Sequence, residues 1–401
     1  MASDHAAAPL LTGPQAGDIL STALATMEIP LESWTVDSVN ARPAAETSVG
    51  YDVLAGGERL YLVASTVSLT DEQRAAAKAV RLSSDDGEVH VWRHPADPYL
   101  PGLADACVPE TLAPRLSTAT GRTITIESLD MIVMRPMRRA VLRVRTVAED
   151  GRRTWYVKVV RPDRAEAMLA RHRMCDLAPI ALDAGDGIVV VQEAHGTPMT
   201  RALHRPDGSD PAPIDPAMLL AAMDRLPADA TALDHRPPVP DRISQYARMA
   251  IDEGLPHDRV EALERRITAV LAAAPEHPTV ATHGDLHAAN IYLDDAAAPT
   301  RVESVIDLDT LGPGRRIDDC ACMVAHMMVL PQLDPEGYRG VPAVATQVME
   351  AFGACFGMDE LRARVAANVL SLVAGAEDES IATAWLDTAE SVMRGASAAS
   401  R

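Results

Sequence analysis

The chain is predicted to be an α+β protein, and three observations carry that prediction. Runs rich in β-branched and aromatic residues fill the first half, while after Gly196 apolar residues recur at helical spacing, an order unlike regular βαβ alternation. At 401 residues the sequence is too long for one small core and should divide into two or three subdomains. Finally, a polar loop from His283 to Asn290 stands between two β-rich runs, TVAT and IYL.

Taken in order, residues 1–19 read as a disordered N-terminus. GYDVLAGGERLYLVASTV (50–67) predicts a hairpin turning at Gly56-Gly57. TDEQRAAAKAV (70–80) predicts a helix, with Thr70 as N-cap and Gln73 placed to return its hydrogen bond. VHVWR (89–93) reads as a strand, HPADPYLPGL as a proline-rich break, and two short helical pieces come next, to about Leu116. From 122, TITI and LDMIVM are strand-like, and RPMRRA (135–140) is a basic connection. VLRVRTV and TWYVKVV form a second hairpin with Asp150-Gly151 at its turn. RLYLVAS (59–65) echoes TWYVKVV (154–160), each being a hairpin's second strand, with Tyr61 against Tyr156 and Val63 against Lys158. RPDRAEAMLARHRMCDL predicts a helix, and GIVVVQE (187–193) a buried strand. Helical spacing then marks 216–226, 258–274, about 319–330, 342–356 and two last segments to about Met393.

Hydrophobic residues make up 47% and charged residues 23%, as in a soluble globular protein, but aromatics only 3%, so aliphatic side chains must build the cores. A formal charge of −20 argues against nucleic acid or an anionic membrane as partner and suits a cationic small molecule. Five cysteines, with only Cys320 and Cys322 close together, read as reduced thiols rather than a zinc cluster. The first fifteen residues do not read as a signal peptide, and no apolar run approaches eighteen residues. A cytoplasmic monomer or homodimer is expected.

The polar loop carries the chemistry. Twelve residues after Asn290 begins VESVIDLD (302–309), and a hairpin between the two runs brings Asn290 near Asp307. An asparagine oxygen and a carboxylate are hard ligands suited to Mg²⁺. Asp285, on the same loop, is then free to orient a hydroxyl, as phosphoryl transfer requires. Lys158, amid apolar neighbours in WYVKVV, needs an anionic partner such as a phosphate, with Glu166 as the pairing carboxylate. His283 and His287 have the spacing of a zinc-protease motif, but Gly284 replaces its glutamate and the setting is not a helix. No P-loop motif is present.

In these motifs the chain resembles the aminoglycoside phosphotransferase and choline kinase superfamily. His283, Gly284, Asp285 and Asn290 match its H-G-D-x-x-x-x-N signature; Val305-Ile306-Asp307 matches its magnesium motif; Gly314, Asp319 and Ala321 match G-x-x-x-x-D-x-A. The resemblance implies a bilobal, protein-kinase-like fold: a cap-like segment (20–121), a nucleotide-binding N-lobe (122–196), and a helical C-lobe (197–401) with the catalytic loop and acceptor site. It implies a small-molecule kinase that moves the γ-phosphate of ATP to a hydroxyl. Asp285 would be the catalytic residue, Asn290 and Asp307 would hold Mg²⁺, and His283 and Asp319 would brace the loop. Lys158, Glu166 and the backbone of Gln192 and Ala194 would bind the nucleotide. The glycine-rich phosphate loop is missing, and its place is taken by RPMRR, where backbone amides or Arg138 and Arg139 would serve. The expected acceptor is a cationic aminoglycoside or amino sugar, in antibiotic resistance or metabolism. A macrolide, a neutral sugar, or a choline- or homoserine-like metabolite are the alternatives, and a non-catalytic kinase-like binding module is the further one.

Overall fold

The computed structural model describes residues 10–41, 46–84, 87–234, 236–376 and 378–395. Two compact units appear: the chain to Leu169 with Ile180–Glu193, and Ala170–Pro179 with Ala194 onward. The first is sheet-rich and the second helical. The break after Glu193 lies three residues before the boundary read from the sequence, and the region before 122 shares a unit with residues 122–169.

Five antiparallel strands open the first unit: β1 (Leu31–Ala41), β2 (Thr47–Ala55), β3 (Glu58–Ser65), β4 (Val80–Ser84) and β5 (Gly87–Arg93), ordered β1-β2-β3-β5-β4. Gly56 and Gly57 both have positive φ, as the two-residue hairpin turn demands. Alternate residues Val49, Tyr51 and Val53 of β2 face a core completed by the helix Gln15–Ala25. That helix corrects the expected disordered N-terminus: Ala16, Leu20, Ala23 and Leu24 lie on one apolar stripe and are buried. Residues 1–9 are outside the described residues. Thr70 and Gln73 form the expected capping box, but the helix runs Asp71–Ala77, because Lys78 turns left-handed and Val80 pairs with Val91.

A second five-stranded sheet comes next: β6 (Thr125–Arg135), β7 (Arg139–Ala148), β8 (Gly151–Val160), β9 (Ala181–Asp183) and β10 (Ile188–Gln192), ordered β6-β7-β8-β10-β9. TITI and LDMIVM thus merge into one strand, which absorbs two bulges. Both sheets share one topology, with a helix between the third and fourth strands, Asp71–Ala77 in the first and Pro162–Met174 in the second. The echo between RLYLVAS and TWYVKVV is therefore matched in topology, but its register differs. The pair next to the turn is Ala55–Glu58 in one hairpin and Ala148–Gly151 in the other. Counted from there, Lys158 corresponds to Ser65, not Val63.

The helical unit packs around one aliphatic core that includes Phe352 and Trp385. At its centre Met358–Leu372 is buried almost all round, with Leu361, Val365, Val369 and the small Ala363, Ala366 and Ala367 letting neighbours approach. Two small sheets position the polar loop: β11 (Thr197–Pro198), β13 (Ile291–Leu293) and β14 (Val302–Val305) form one, and β12 (Val280–Thr282) with β15 (Gly312–Gly314) the other. All five cysteines are free thiols. Among the described residues no helix is long and apolar enough to cross a membrane.

Candidate active site

The loop His283–Asn290 leaves β12 and enters β13 after one 3₁₀ turn, Ala288–Asn290. A single buried carboxylate holds its start. Asp319, on the helix Arg316–Leu333, accepts the backbone N–H of His283 at 2.8 Å and of Gly284 at 2.9 Å. Complete burial raises the pKa of Asp319 above the ordinary value, against the opposing pull of these N–H groups and Arg316. His283 is fully buried and donates through Nε2 to the Ile306 carbonyl at 2.9 Å, while its own carbonyl accepts from Thr310 Oγ1 at 2.8 Å. The Ile306 carbonyl takes Nε2, and neither His283 nor His287 belongs to a group of side chains close enough to hold a metal ion among the described residues.

Gly284 has φ +78°, and a Cβ there would stand 2.9 Å from the Thr310 carbonyl oxygen. Gly314 is constrained by space instead: a Cβ would meet Thr282 Oγ1 at 2.4 Å. Such contacts give the two glycines of the matched motifs a steric reason.

Asn290 is buried, and its amide is turned by two neighbours. Nδ2 donates to the Asp285 carbonyl at 2.9 Å and lies 3.2 Å from His287 Nε2, leaving Oδ1 as the open acceptor. The β13–β14 pairing does what the sequence predicted: Ile291 faces Val305, and Ile306 N–H donates to the Asn290 carbonyl at 3.0 Å. Asp307 follows at once, with a left-handed φ of 60° that turns the chain out of the strand. The Asp285 carboxylate is half-buried; its one side-chain neighbour in hydrogen-bond range among the described residues is the Cys322 thiol, 4.0 Å away. His287 stacks on His326 with ring centroids 4.3 Å apart. Burial lowers the pKa of both, His326 to about 3, so both rings are neutral.

Beneath the loop runs a chain of buried charges that the sequence did not reveal. Arg364 donates to Glu360 at 2.8 Å and to Asp318 at 2.7 Å, and all three are nearly inaccessible. Arg315 links Asp318 (2.8 Å) to Asp241 (2.6 Å), and His277 meets Glu360 at 2.8 Å. Arg316 donates to the Met223 carbonyl at 2.6 Å. So Arg315 and Arg316, in the motif after Gly314, tie the start of the Asp319 helix to its surroundings. Removing one member of such a chain strands a buried charge, at a cost of about 3–5 kcal/mol.

In the sheet-rich unit Lys158 lies on β8 between Val141 and Val189, partly buried, on the face that also carries Tyr156 and Val160. The helix Pro162–Met174 covers this face through Met168 and Leu169. Glu166 on that helix is exposed and makes no hydrogen bond or ion pair among the described residues, so it is not brought to Lys158. Gln192 ends β10, and its N–H is taken by the Ile180 carbonyl at 2.8 Å, which leaves only its carbonyl for a ligand. Ala194 opens the helical unit and is half-buried.

The β6–β7 turn explains the missing glycines. Met137 adopts φ 61°, and its side chain packs against Val63, Ala77 and Trp92 of the first sheet's region. Its N–H donates to Asp97 Oδ2 at 2.8 Å, and Arg138 N–H donates to the Arg135 carbonyl at 3.0 Å. These two backbone amides are therefore spent within the protein. Arg138 is exposed and Arg139 half-buried at the head of β7. Asp97 also accepts the N–H groups of Tyr99 and Leu100 at 2.9 and 3.1 Å. An aspartate before Pro98 is a turn signal that could have found it. Burial pushes its pKa up to about 6 against all three bonds.

The model of the phosphotransferase enzyme family matches residues 140–364, more than half of the chain. The chain belongs to that family and is a small-molecule kinase. Among solved structures it is similar to a thermostable aminoglycoside phosphotransferase APH(4)-Ia in ternary complex with ADP and hygromycin B, at 14% identity over 73% of this chain and 100% of that one, TM-score 0.47. A choline/ethanolamine kinase family protein from Mesorhizobium loti matches at 19% identity over 71% and 94%, TM-score 0.47. The GDP complex of aminoglycoside 2'-phosphotransferase-IIIa matches at 11% over 72% and 99%, TM-score 0.42. No curated protein sequence matches the chain.

Proposed function

We propose that this kinase transfers the γ-phosphate of Mg-ATP to a hydroxyl of a cationic small molecule, an aminoglycoside or amino sugar. One observation carries the reading: Asn290 spends its amide nitrogen on the Asp285 carbonyl, so its oxygen is left open, its backbone carbonyl accepts from Ile306, the residue before Asp307, and the Asp285 carboxylate makes no ion pair among the described residues. Asparagine and carboxylate oxygens suit Mg²⁺, which keeps several waters and binds phosphate oxygens. When bound, the ion neutralises charge on the transferred group. Asp285 orients the acceptor hydroxyl and takes its proton; with a loose transition state, placement matters more than basicity. Lys158 serves the donor phosphates, helped by Arg138 and Arg139, and the Gln192 carbonyl with the Ala194 amide serves the adenine edge. Glu166, exposed and with no ion pair among the described residues, is left out of the assignment. His283 and Asp319 act as positioning residues.

The acceptor class rests on charge. A net charge of −20 favours cations. Of the acids on the late helices, Glu360 is committed to Arg364 and His277, Asp378 caps Glu379–Arg394, and Glu350 lines a cavity of about 300 Å³ that also presents Arg362 and includes no residue of the His283–Asn290 loop, so these acids add nothing to the charge argument. ADP release from Mg-ATP, measured across aminoglycosides, amino sugars, macrolides, neutral sugars, choline and homoserine, tests the proposal. Release should depend on a cationic acceptor and fall below one-hundredth in Asp285→Asn and Asp307→Ala, with folding intact. Normal turnover in Asp307→Ala would sink the site assignment; release only with neutral acceptors would overturn the substrate class.

A further inference from the structure

We propose that Asp285, Cys322 and His326 form a binding site for a soft divalent ion of the zinc class, distinct from the oxygen ligands Asn290 and Asp307. One ligand atom from each of the three lies within 4.8 Å of the other two. Cys322 and His326 are four residues apart on the helix Arg316–Leu333, so they project from consecutive turns of one face. Asp285 comes from the loop, with Oδ1 4.0 Å from Cys322 Sγ.

The donor set decides the ion. Zn²⁺ takes three protein ligands in tetrahedral sites and keeps water in the fourth position, with bonds of roughly 2.0–2.3 Å. Ligand atoms in such a site stand about 3.3–3.8 Å apart by that geometry. The three groups here need to close by at most about 1–1.5 Å, within reach of side-chain rotation. Sulfur and imidazole nitrogen select zinc, cobalt or copper over magnesium, which requires oxygen. An imidazole nitrogen of His326 supplies the third donor, and the ring's stacking on His287 fixes its plane. On binding, Cys322 releases its thiol proton to solvent as the sulfur–metal bond forms, so one proton leaves per ion.

A regulatory consequence rests on the function proposed above. An ion on Asp285 removes the carboxylate that would meet the acceptor hydroxyl, so zinc inhibits in competition with the acceptor. Binding itself stands apart from that reading, and the experiment keeps the two separate.

Metal-free, reduced protein is titrated with Co²⁺ without nucleotide or acceptor, and the thiolate-to-cobalt absorption in the near ultraviolet is followed. One equivalent should bind with that band, and zinc should displace it. Cys322→Ser should lose the band, and His326→Gln should bind cobalt more than about tenfold more weakly. No thiolate band, or a band that persists in Cys322→Ser and so arises from another cysteine, overturns the proposal. Circular dichroism checks both variants, and His326→Gln decides the matter if Cys322→Ser fails to fold. Cobalt binding with no phosphotransfer to any acceptor would defeat the function and leave the site standing; phosphotransfer without the band would do the reverse.

Discussion

Gly284 shows how tightly the loop is specified at the level of one residue. Its backbone is left-handed, its N–H is held by Asp319, and Thr310 closes the space a side chain would need. Gly284→Ala meets both obstacles, since a Cβ in the left-handed region costs roughly 1–2 kcal/mol before any clash. The variant should lose at least that much stability in urea denaturation, and its kcat should fall more than its donor KM rises, because Asp285 is the next residue. Unchanged kcat would show that the loop tolerates displacement. Much of this was legible: the signature itself placed Gly284, Asp285, Asn290 and Asp319 together. The orientation of the Asn290 amide was not, because it depends on the Asp285 carbonyl and His287, which converge only when the 3₁₀ turn forms.

Among elements, the β6–β7 turn is the part that departs from expectation. A glycine-rich loop would offer amides to phosphate; this turn spends the Met137 amide on Asp97, from a segment forty residues earlier. Asp97→Asn keeps the shape but not the acceptor, since an amide group cannot accept on both sides. The turn should loosen and the KM for ATP rise several-fold, read from steady-state kinetics. Stability should also depend on pH here. Burial raises the pKa of Asp97 from 3.8 to about 6, so the native state holds its proton more tightly than the unfolded chain. The stability it contributes is full below pH 3.8 and lost as pH rises through about 6, a swing of roughly 3 kcal/mol from the 3.8-to-6 shift. The stability difference between wild type and Asp97→Asn should therefore decline across that window. A flat difference would mean that Asp97 titrates as it does when unfolded.

At the scale of the whole molecule, the negative charge is the property most open to test. Exposed charges act over about 10 Å at 0.1 M salt, and less as salt rises. If the acceptor is cationic, its kcat/KM should drop several-fold between about 0.05 and 0.5 M salt, while a neutral acceptor's should hardly change. Equal salt dependence for both would remove the charge argument for the acceptor class. The shared topology of the two sheets also belongs to this scale. The position corresponding to Lys158 in the first sheet is Ser65, which is buried and bonded to Ser48 at 2.9 Å. That sheet keeps the architecture without the lysine, and its region contributes packing and Asp97 to the β6–β7 turn.

By itself the sequence determined the class, the order of strands before helices, and the place of the polar loop between two strands. Those depend on local pattern: alternation and helical spacing decide which face is buried, and Asp285 with Asn290 sit within one short stretch. Only the tertiary structure decided the rest. It bound Arg315, Arg364 and Asp318 into one buried network, turned the Asp97 carboxylate onto Met137, left Glu166 exposed, and set Cys322 and His326 beside Asp285. Most of those pairings join residues about forty positions apart, where no periodicity reaches. Their physical reason is shared: a buried charge or polar group must find its partner wherever packing brings one, and packing is a property of the folded chain.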